Sequence, residues 1–139
     1  MEKFAHELVP GDIYDPLEIV IETELNQQIL FAQETFDSRY VADNGDRPAM
    51  VSPALLLQLA ANTKSPSFKL AEGTGSVLAE AKTEFLGPAY VGERLRVSWR
   101  VTDAYEKRDR QYYVMETLME NDDGVTILRR DLHLTFFGA

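Results

Sequence analysis

This sequence is poor in thiol and imidazole side chains, the groups that most often serve as reactive nucleophiles, proton carriers and zinc ligands. None of the 139 residues is a cysteine, and the two histidines, His6 and His133, are remote from each other. Metal sites need Cys, His or carboxylate ligands at short characteristic spacings, which neither histidine has, so we expect no metal. The pattern around His133 is typical of a surface or interface histidine on a strand. With no cysteine available for disulfides, a reducing cytoplasm is the expected location.

One dense basic cluster, Lys107, Arg108 and Arg110, stands out in an acidic chain. Guanidinium and ammonium groups gathered in this way can bind phosphate. The interleaved Glu106 and Asp109 allow another interpretation, in which the cluster is the neutralised, solvated end of a hairpin. The pattern leaves both open.

The overall charge and length limit the class of protein. Acidic residues outnumber basic ones by 23 to 14, which gives a net charge of −9 and makes nucleic acid an improbable partner. No apolar run approaches the roughly 20 residues of a membrane span, and the amino terminus has no signal-peptide pattern. A length of 139 residues with 45% apolar composition predicts one domain over residues 1–139.

The first half of the chain predicts a strand and two helices. Leu17 to Glu22 is rich in β-branched residues, and apolar spacing over Glu24 to Phe36 predicts an amphipathic helix with Thr23 as a possible cap. Turn residues predict a loop from Asp37 to Pro48. Ser52 and Pro53 are an N-cap and first-turn proline, and the helix they begin, Ala54 to Ala61, is apolar on nearly every side, so it must be wrapped by protein.

The second half predicts four strands after a connecting segment, Thr63 to Gly75. Alternating apolar residues indicate half-buried strands at 77–85 and 95–101, and β-formers continue through 111–121 and 125–137, with the turn Asn121 to Gly124 between the last two. We predict an antiparallel meander of four strands. An antiparallel α+β fold in which the sheet curls around the apolar helix follows, although a half-barrel or cystatin-like sheet has similar periodicities.

Four segments resemble the MaoC-like acyl dehydratases, and in particular the group named for the dehydratase region of fungal fatty-acid synthase. These segments are QILFAQETFD at 28–37, PAMVSPALLL at 48–57, FLGPAYVGERLRV at 85–97 and DAYEKRDR at 103–110. Together they cover nearly the whole chain in the family's order. The resemblance implies the hotdog fold, a curled antiparallel sheet wrapped around one buried helix.

The resemblance also implies a chemistry and shows where this sequence departs from it. Such proteins, the (R)-specific enoyl-CoA hydratases among them, add or remove water across an α,β-unsaturated acyl thioester of coenzyme A or acyl carrier protein. One Asp and one His work in a Gly-Asp-x-Asn-Pro-apolar-His motif. Asp37 matches the aspartate, Arg39 and Tyr40 replace Asn-Pro, and Ala42 falls on the histidine. Asp37 also has a plainer interpretation, as a loop residue that caps local N–H groups.

The start of the apolar helix departs from the family as well. Where the family has a His-Gly pair that directs a backbone N–H at the thioester carbonyl, this sequence has Ser52-Pro53, and proline has no N–H. The Ser52 hydroxyl or the Ala54 N–H can take that place. The coenzyme A 3′-phosphate and pyrophosphate need positive charge, so Lys107, Arg108 and Arg110 are candidate contacts for them, with the solvated hairpin end as the alternative.

The leading functional hypothesis is therefore a catalytically degenerate hotdog subunit that binds acyl thioesters and needs no other cofactor. Its partner is expected to be a second copy or a catalytically intact hotdog subunit. One alternative is an active (R)-enoyl-CoA hydratase or dehydratase that uses Asp37 with Tyr40 or Ser52. A noncatalytic acyl-thioester-binding module and a thioesterase are the others.

Overall fold

The computed structural model describes residues 2–41, 43 and 45–138. Two short 3-10 helices lie at Ala5–Glu7 and Asn62–Lys64. The other elements, in chain order, are β1 (Leu17–Val20), α1 (Thr23–Ala32), α2 (Ser38–Val41), α3 (Pro53–Leu59), β2 (Thr74–Phe85), β3 (Arg94–Lys107), β4 (Arg110–Asn121) and β5 (Thr126–Gly138).

The five strands form one antiparallel sheet in the order β1-β3-β4-β5-β2. Strands β3, β4 and β5 are joined by consecutive hairpins, as predicted. The prediction of a four-stranded meander is wrong for β2, which pairs with β5 at the far side of the sheet, while β1 takes the place beside β3. Alternation along a strand specifies which side chains share a face, but it carries no information about the neighbouring strand.

The concave face of the sheet and α3 form the core. The predicted alternation of β3 is confirmed, since Leu95, Val97, Trp99 and Val101 are at most 2% exposed. The indole Nε1 of Trp99 donates a hydrogen bond of 3.0 Å to the carbonyl oxygen of Ala60, at the end of α3. This contact fixes the helix in the curl of the sheet, and it confirms the α+β architecture predicted from the sequence.

Strand β2 departs from the predicted half-buried pattern because it is an edge strand. Its apolar residues Val77, Leu78 and Phe85 are 46–51% exposed. The helix α3 is likewise covered on one side only, with Leu55 and Leu56 buried and Gln58 exposed. The apolar pattern therefore predicted more burial than this chain provides alone.

The helical region also differs from its predicted boundaries. The helix α1 begins with Thr23 as its first residue, so Glu22 occupies the N-cap position. It ends at Ala32 because Glu34 adopts a left-handed conformation with φ of 55°. The predicted loop contains the short helix α2. No helix in the described part of the chain combines the length and apolar character needed to cross a membrane.

Candidate functional site

A buried asparagine joins the three helices close to Asp37 and Ser52, two residues that the sequence resemblance selects. Asn26 on α1 is 1% exposed. Its Nδ2 donates to the carbonyl oxygens of Tyr40 (3.3 Å) and Met50 (2.9 Å), and its Oδ1 accepts the Ser52 N–H at 2.8 Å. One side chain thus holds the end of α2 and the start of α3 against α1. The amphipathic pattern that predicted this helix gave no indication of the role of Asn26.

Asp37 lies beside this junction, just before α2, and its carboxylate is paired with Arg39. The two oxygens accept from the guanidinium Nε (3.0 Å) and Nη2 (2.8 Å), and Oδ1 also accepts the Arg39 backbone N–H at 2.9 Å. These hydrogen bonds from Arg39 lower the pKa of the Asp37 carboxyl. A carboxylate stabilised in this way is a weaker proton acceptor. The backbone contact also matches the plainer interpretation of Asp37 as a local cap.

Ser52 and Tyr40 meet at the same junction, but the Ser52 hydroxyl has a different contact from the one expected. Ser52 occupies the predicted N-cap position of α3, followed by Pro53 as the first residue of the helix. Its hydroxyl makes no capping hydrogen bond and instead donates to Gln33 Oε1 at 3.3 Å. The expectation of side-chain capping by Ser52 was therefore wrong. Tyr40 is half-buried, with its ring 5.7 Å from the Arg39 guanidinium carbon.

Neither histidine lies at this junction. The ring Nδ1 of His133 is 2.9 Å from the Tyr105 hydroxyl, on the outer face of the sheet. His6 stacks on Phe4 in the amino-terminal segment, and its carbonyl oxygen accepts a hydrogen bond from the Tyr113 hydroxyl. Ala42, the residue that falls on the family histidine, lies outside the described residues. With only these two histidines in the sequence, no imidazole of this chain faces Asp37.

An apolar groove of about 510 Å³ opens beside the start of α3. One wall comes from the residues that lead into the helix and its first turns, and the other from the end of β2 and the turn after it. Its lining residues are Met50, Val51, Pro53, Leu56, Phe85, Leu86, Gly87, Pro88 and Ala89. Its volume lies within the usual range of small-ligand sites, about 300–1,000 Å³, and the lining suits an aliphatic chain. Ser52 lies in sequence between two lining residues.

The basic cluster forms the β3–β4 turn, at the other end of the sheet. Arg108 and Asp109 both have positive φ, 52° and 62°, as a two-residue hairpin turn requires. Arg108 and Arg110 line a second cavity of about 540 Å³, together with His6 and Tyr113. Phe85, which lines the groove, lies in the same row across the sheet as Met119 on β4. At about 3.3 Å per residue, this row is roughly 30 Å from Arg110 along β4. Phosphate binding by this cluster stays a prediction.

The fold is similar to that of several solved structures. The MaoC-like dehydratase from Rhodospirillum rubrum aligns with a TM-score of 0.75 and 19% identity over 99% of this chain and 98% of its own. The (R)-hydratase from A. caviae, involved in PHA biosynthesis, aligns with a TM-score of 0.72 and 15% identity, covering 94% and 98%. One chain of the C-terminally truncated HadBC (3R-hydroxyacyl-ACP dehydratase) complex from Mycobacterium tuberculosis gives 0.71 and 17%, covering 92% and 97%.

No protein-family model and no curated protein sequence matches this chain. The resemblance to MaoC-like dehydratases and (R)-hydratases noted in the sequence is thus matched by structural similarity at low sequence identity. At these identities the similarity establishes the hotdog fold, whereas the reaction depends on the residues of the site.

Proposed function

We propose that this chain is a hotdog subunit that binds an acyl thioester and lacks the complete catalytic pair of the dehydratases. The observation that carries the proposal is the state of Asp37. Its carboxylate is paired with Arg39, which lowers its pKa, and no imidazole of the chain faces it. General acid–base catalysis needs a group whose pKa lies near the working pH and a second group that completes the proton transfer. Asp37 meets neither condition.

The apolar groove beside α3 supports a role in holding the acyl chain. It is lined by apolar residues, and Val51 and Pro53 in its wall flank Ser52, one of the site residues that the sequence resemblance selects. A groove of this kind binds by removing apolar surface from water, at about 25 cal/mol per Å². Binding of the acyl chain therefore does not depend on the missing histidine.

A hotdog partner completes the proposal. The β2 edge carries unpaired backbone groups and exposed apolar side chains, and one similar structure is a two-component dehydratase complex. The partner is a second copy of this chain or a hotdog subunit that retains both catalytic residues. In the second case, this chain shapes the acyl site and its partner supplies the Asp–His pair.

Binding of hexanoyl-CoA and octanoyl-CoA to the purified protein, measured by calorimetry, tests this function. We expect saturable binding that tightens with chain length, and loss of at least about tenfold in affinity in Leu86→Glu, which places a charge in the groove. Leu70→Glu is the matched control, because Leu70 is also an exposed leucine but does not line the groove. Absence of binding, or equal loss in both variants, would contradict the proposal.

A further inference from the structure

An arginine points into the concave side of the sheet, close to the apolar groove. Arg130 on β5 shares a face with the buried Leu128 and Leu132. Its Nε donates to the Thr83 hydroxyl at 3.1 Å, and its Nη1 lies 3.5 Å from the carbonyl oxygen of Leu57 on α3. The side chain is half-buried between the sheet and the helix.

This arginine has no anionic partner within the described ranges, where no carboxylate oxygen lies within 4 Å of its guanidinium group. Arg100 and Arg129, on the outer face, differ in that both pair with Glu116. Burial lowers the pKa of Arg130, as expected for a cation withdrawn from water without a compensating charge. Charges withdrawn from water are normally paired, so this half-buried guanidinium group, whose two hydrogen bonds go to neutral oxygens, is suited to bind an anion.

A second polar residue beside Arg130, Thr117, has a hydroxyl group left unsatisfied by the described residues. Thr117, Arg130 and Thr83 lie side by side across β4, β5 and β2 and form a polar stripe in an otherwise apolar face. Thr117 is 0% exposed, and its hydroxyl has no hydrogen-bond partner among the described residues. The polar stripe therefore places a guanidinium group between two hydroxyl groups in one row.

The polar stripe lies next to residues in both walls of the groove. Thr83 is on the same strand face as Phe85, two residues away, and Leu57 directly follows Leu56 on α3. Phe85 and Leu56 both line the groove. Arg130, Thr83 and Leu57 do not line the groove, so an acyl chain must pass between Phe85 and Leu56 to bring its far end to Arg130.

We propose that Arg130 recognises a carboxylate at the far end of the acyl chain, so that the groove selects acyl thioesters of dicarboxylic acids. This inference rests on the proposed function and names its substrate class. A carboxylate matches a planar guanidinium group through two parallel hydrogen bonds, and its single charge balances a single cation. A phosphate carries more charge than one arginine offsets within a chain of net charge −9.

A structural role for Arg130 competes with this proposal, because its contact with Leu57 satisfies a carbonyl group near the carboxyl end of α3. The test must separate the two roles. Adipyl-CoA and hexanoyl-CoA have acyl chains of the same length and differ only in the terminal carboxylate. Loss of a purely structural contact weakens both ligands alike, whereas loss of carboxylate recognition weakens adipyl-CoA alone.

The experiment measures the Kd of both ligands for the wild-type protein, Arg130→Gln, Arg130→Lys and Thr83→Val. We expect the wild type to bind adipyl-CoA at least about tenfold more tightly than hexanoyl-CoA. Arg130→Gln removes this preference and leaves hexanoyl-CoA binding within about twofold, and the two milder variants reduce the preference in part. Tenfold corresponds to about 1.4 kcal/mol.

Each failure has a distinct meaning. Hexanoyl-CoA binding without a preference for adipyl-CoA in the wild type overturns this inference and leaves the proposed function intact. Equal loss of both ligands in Arg130→Gln assigns Arg130 a structural role and likewise overturns it. If neither ligand binds, both the proposed function and this inference are overturned.

Discussion

At the scale of single residues, the candidate site is defined by how polar groups are paired. Asp37 is the residue that the family resemblance selects, yet its nearest cation, Arg39, stands where the family has asparagine. An aspartate at the matching position therefore does not by itself give this chain the catalytic chemistry of the family. Arg130 is the opposite case. The sequence gave it no functional role, yet in the structure it has no anionic partner among the described residues. Pairing depends on three-dimensional neighbours, which alternation along a strand does not specify.

Tyr14 provides a prediction at this scale. It is 2% exposed, its hydroxyl has no partner among the described residues, and burial raises its pKa to about 12. In the unfolded chain the Tyr14 hydroxyl ionises near pH 10, whereas in the folded protein it stays neutral up to about pH 12. Ionisation above pH 10 therefore stabilises the unfolded chain relative to the folded protein. This contribution is present in full below pH 10 and is lost as the pH rises to 12. Two pKa units correspond to about 2.7 kcal/mol.

We therefore expect the free energy of unfolding to fall more steeply between pH 10 and 12 in the wild type than in Tyr14→Phe, by about 2 to 3 kcal/mol. Urea titrations across this range measure it, with the fluorescence of Trp99, the single tryptophan, as the signal. Identical pH dependence in the two proteins would contradict the assigned burial of Tyr14.

At the scale of secondary-structure elements, the sequence predicted those whose pattern is local. Three features could be predicted because the signal for each lies within a few residues. They are the alternation of β3, the start of α3 at Pro53, and the turn from Asn121 to Gly124. The position of β2 was not, because strand order depends on contacts between distant segments. The junction of α1, α2 and α3 was also missed, since one asparagine in a polar helix face looks like any solvated residue.

Asn26 yields the prediction at the element scale. Asn26→Ala removes three hydrogen bonds and leaves the Ser52 N–H and the Met50 carbonyl group without this partner. We expect the free energy of unfolding to fall by about 2 to 4 kcal/mol. Gln28→Ala is the control, because Gln28 is exposed on the same helix. A loss no larger than in the control would show that Asn26 does not hold the junction together.

At the scale of the whole molecule, the apolar surface left open by the sheet is the main feature. The predicted burial of β2 and the predicted wrapping of α3 both exceed what one chain provides. The proposed hotdog partner explains both discrepancies if it covers the β2 edge. On this proposal, the amino-acid pattern reflects the burial of the assembled protein, whereas the structure shows the burial of a single chain.

Association through β2 is the prediction at this scale. Leu78 on β2 is 51% exposed, and we expect Leu78→Glu to disrupt self-association by placing a charge against apolar surface. Light scattering after size-exclusion chromatography measures the mass of the wild type, Leu78→Glu and the control Leu70→Glu. For a partner that is a second copy of this chain, we expect a dimer, a monomer and a dimer, respectively; a monomeric wild type would assign the partner role to a different hotdog subunit. A dimer that survives in Leu78→Glu would place the interface elsewhere.

The most direct test of the central claim is hydration of crotonyl-CoA and oct-2-enoyl-CoA by the purified chain, followed at the enoyl absorbance, with Asp37→Asn alongside. The absence of an imidazole partner and the pairing of Asp37 with Arg39 predict no turnover above the uncatalysed rate, in a protein that remains folded and binds hexanoyl-CoA. Turnover by the wild type that disappears in Asp37→Asn would contradict this account and identify Asp37 as a working catalytic residue.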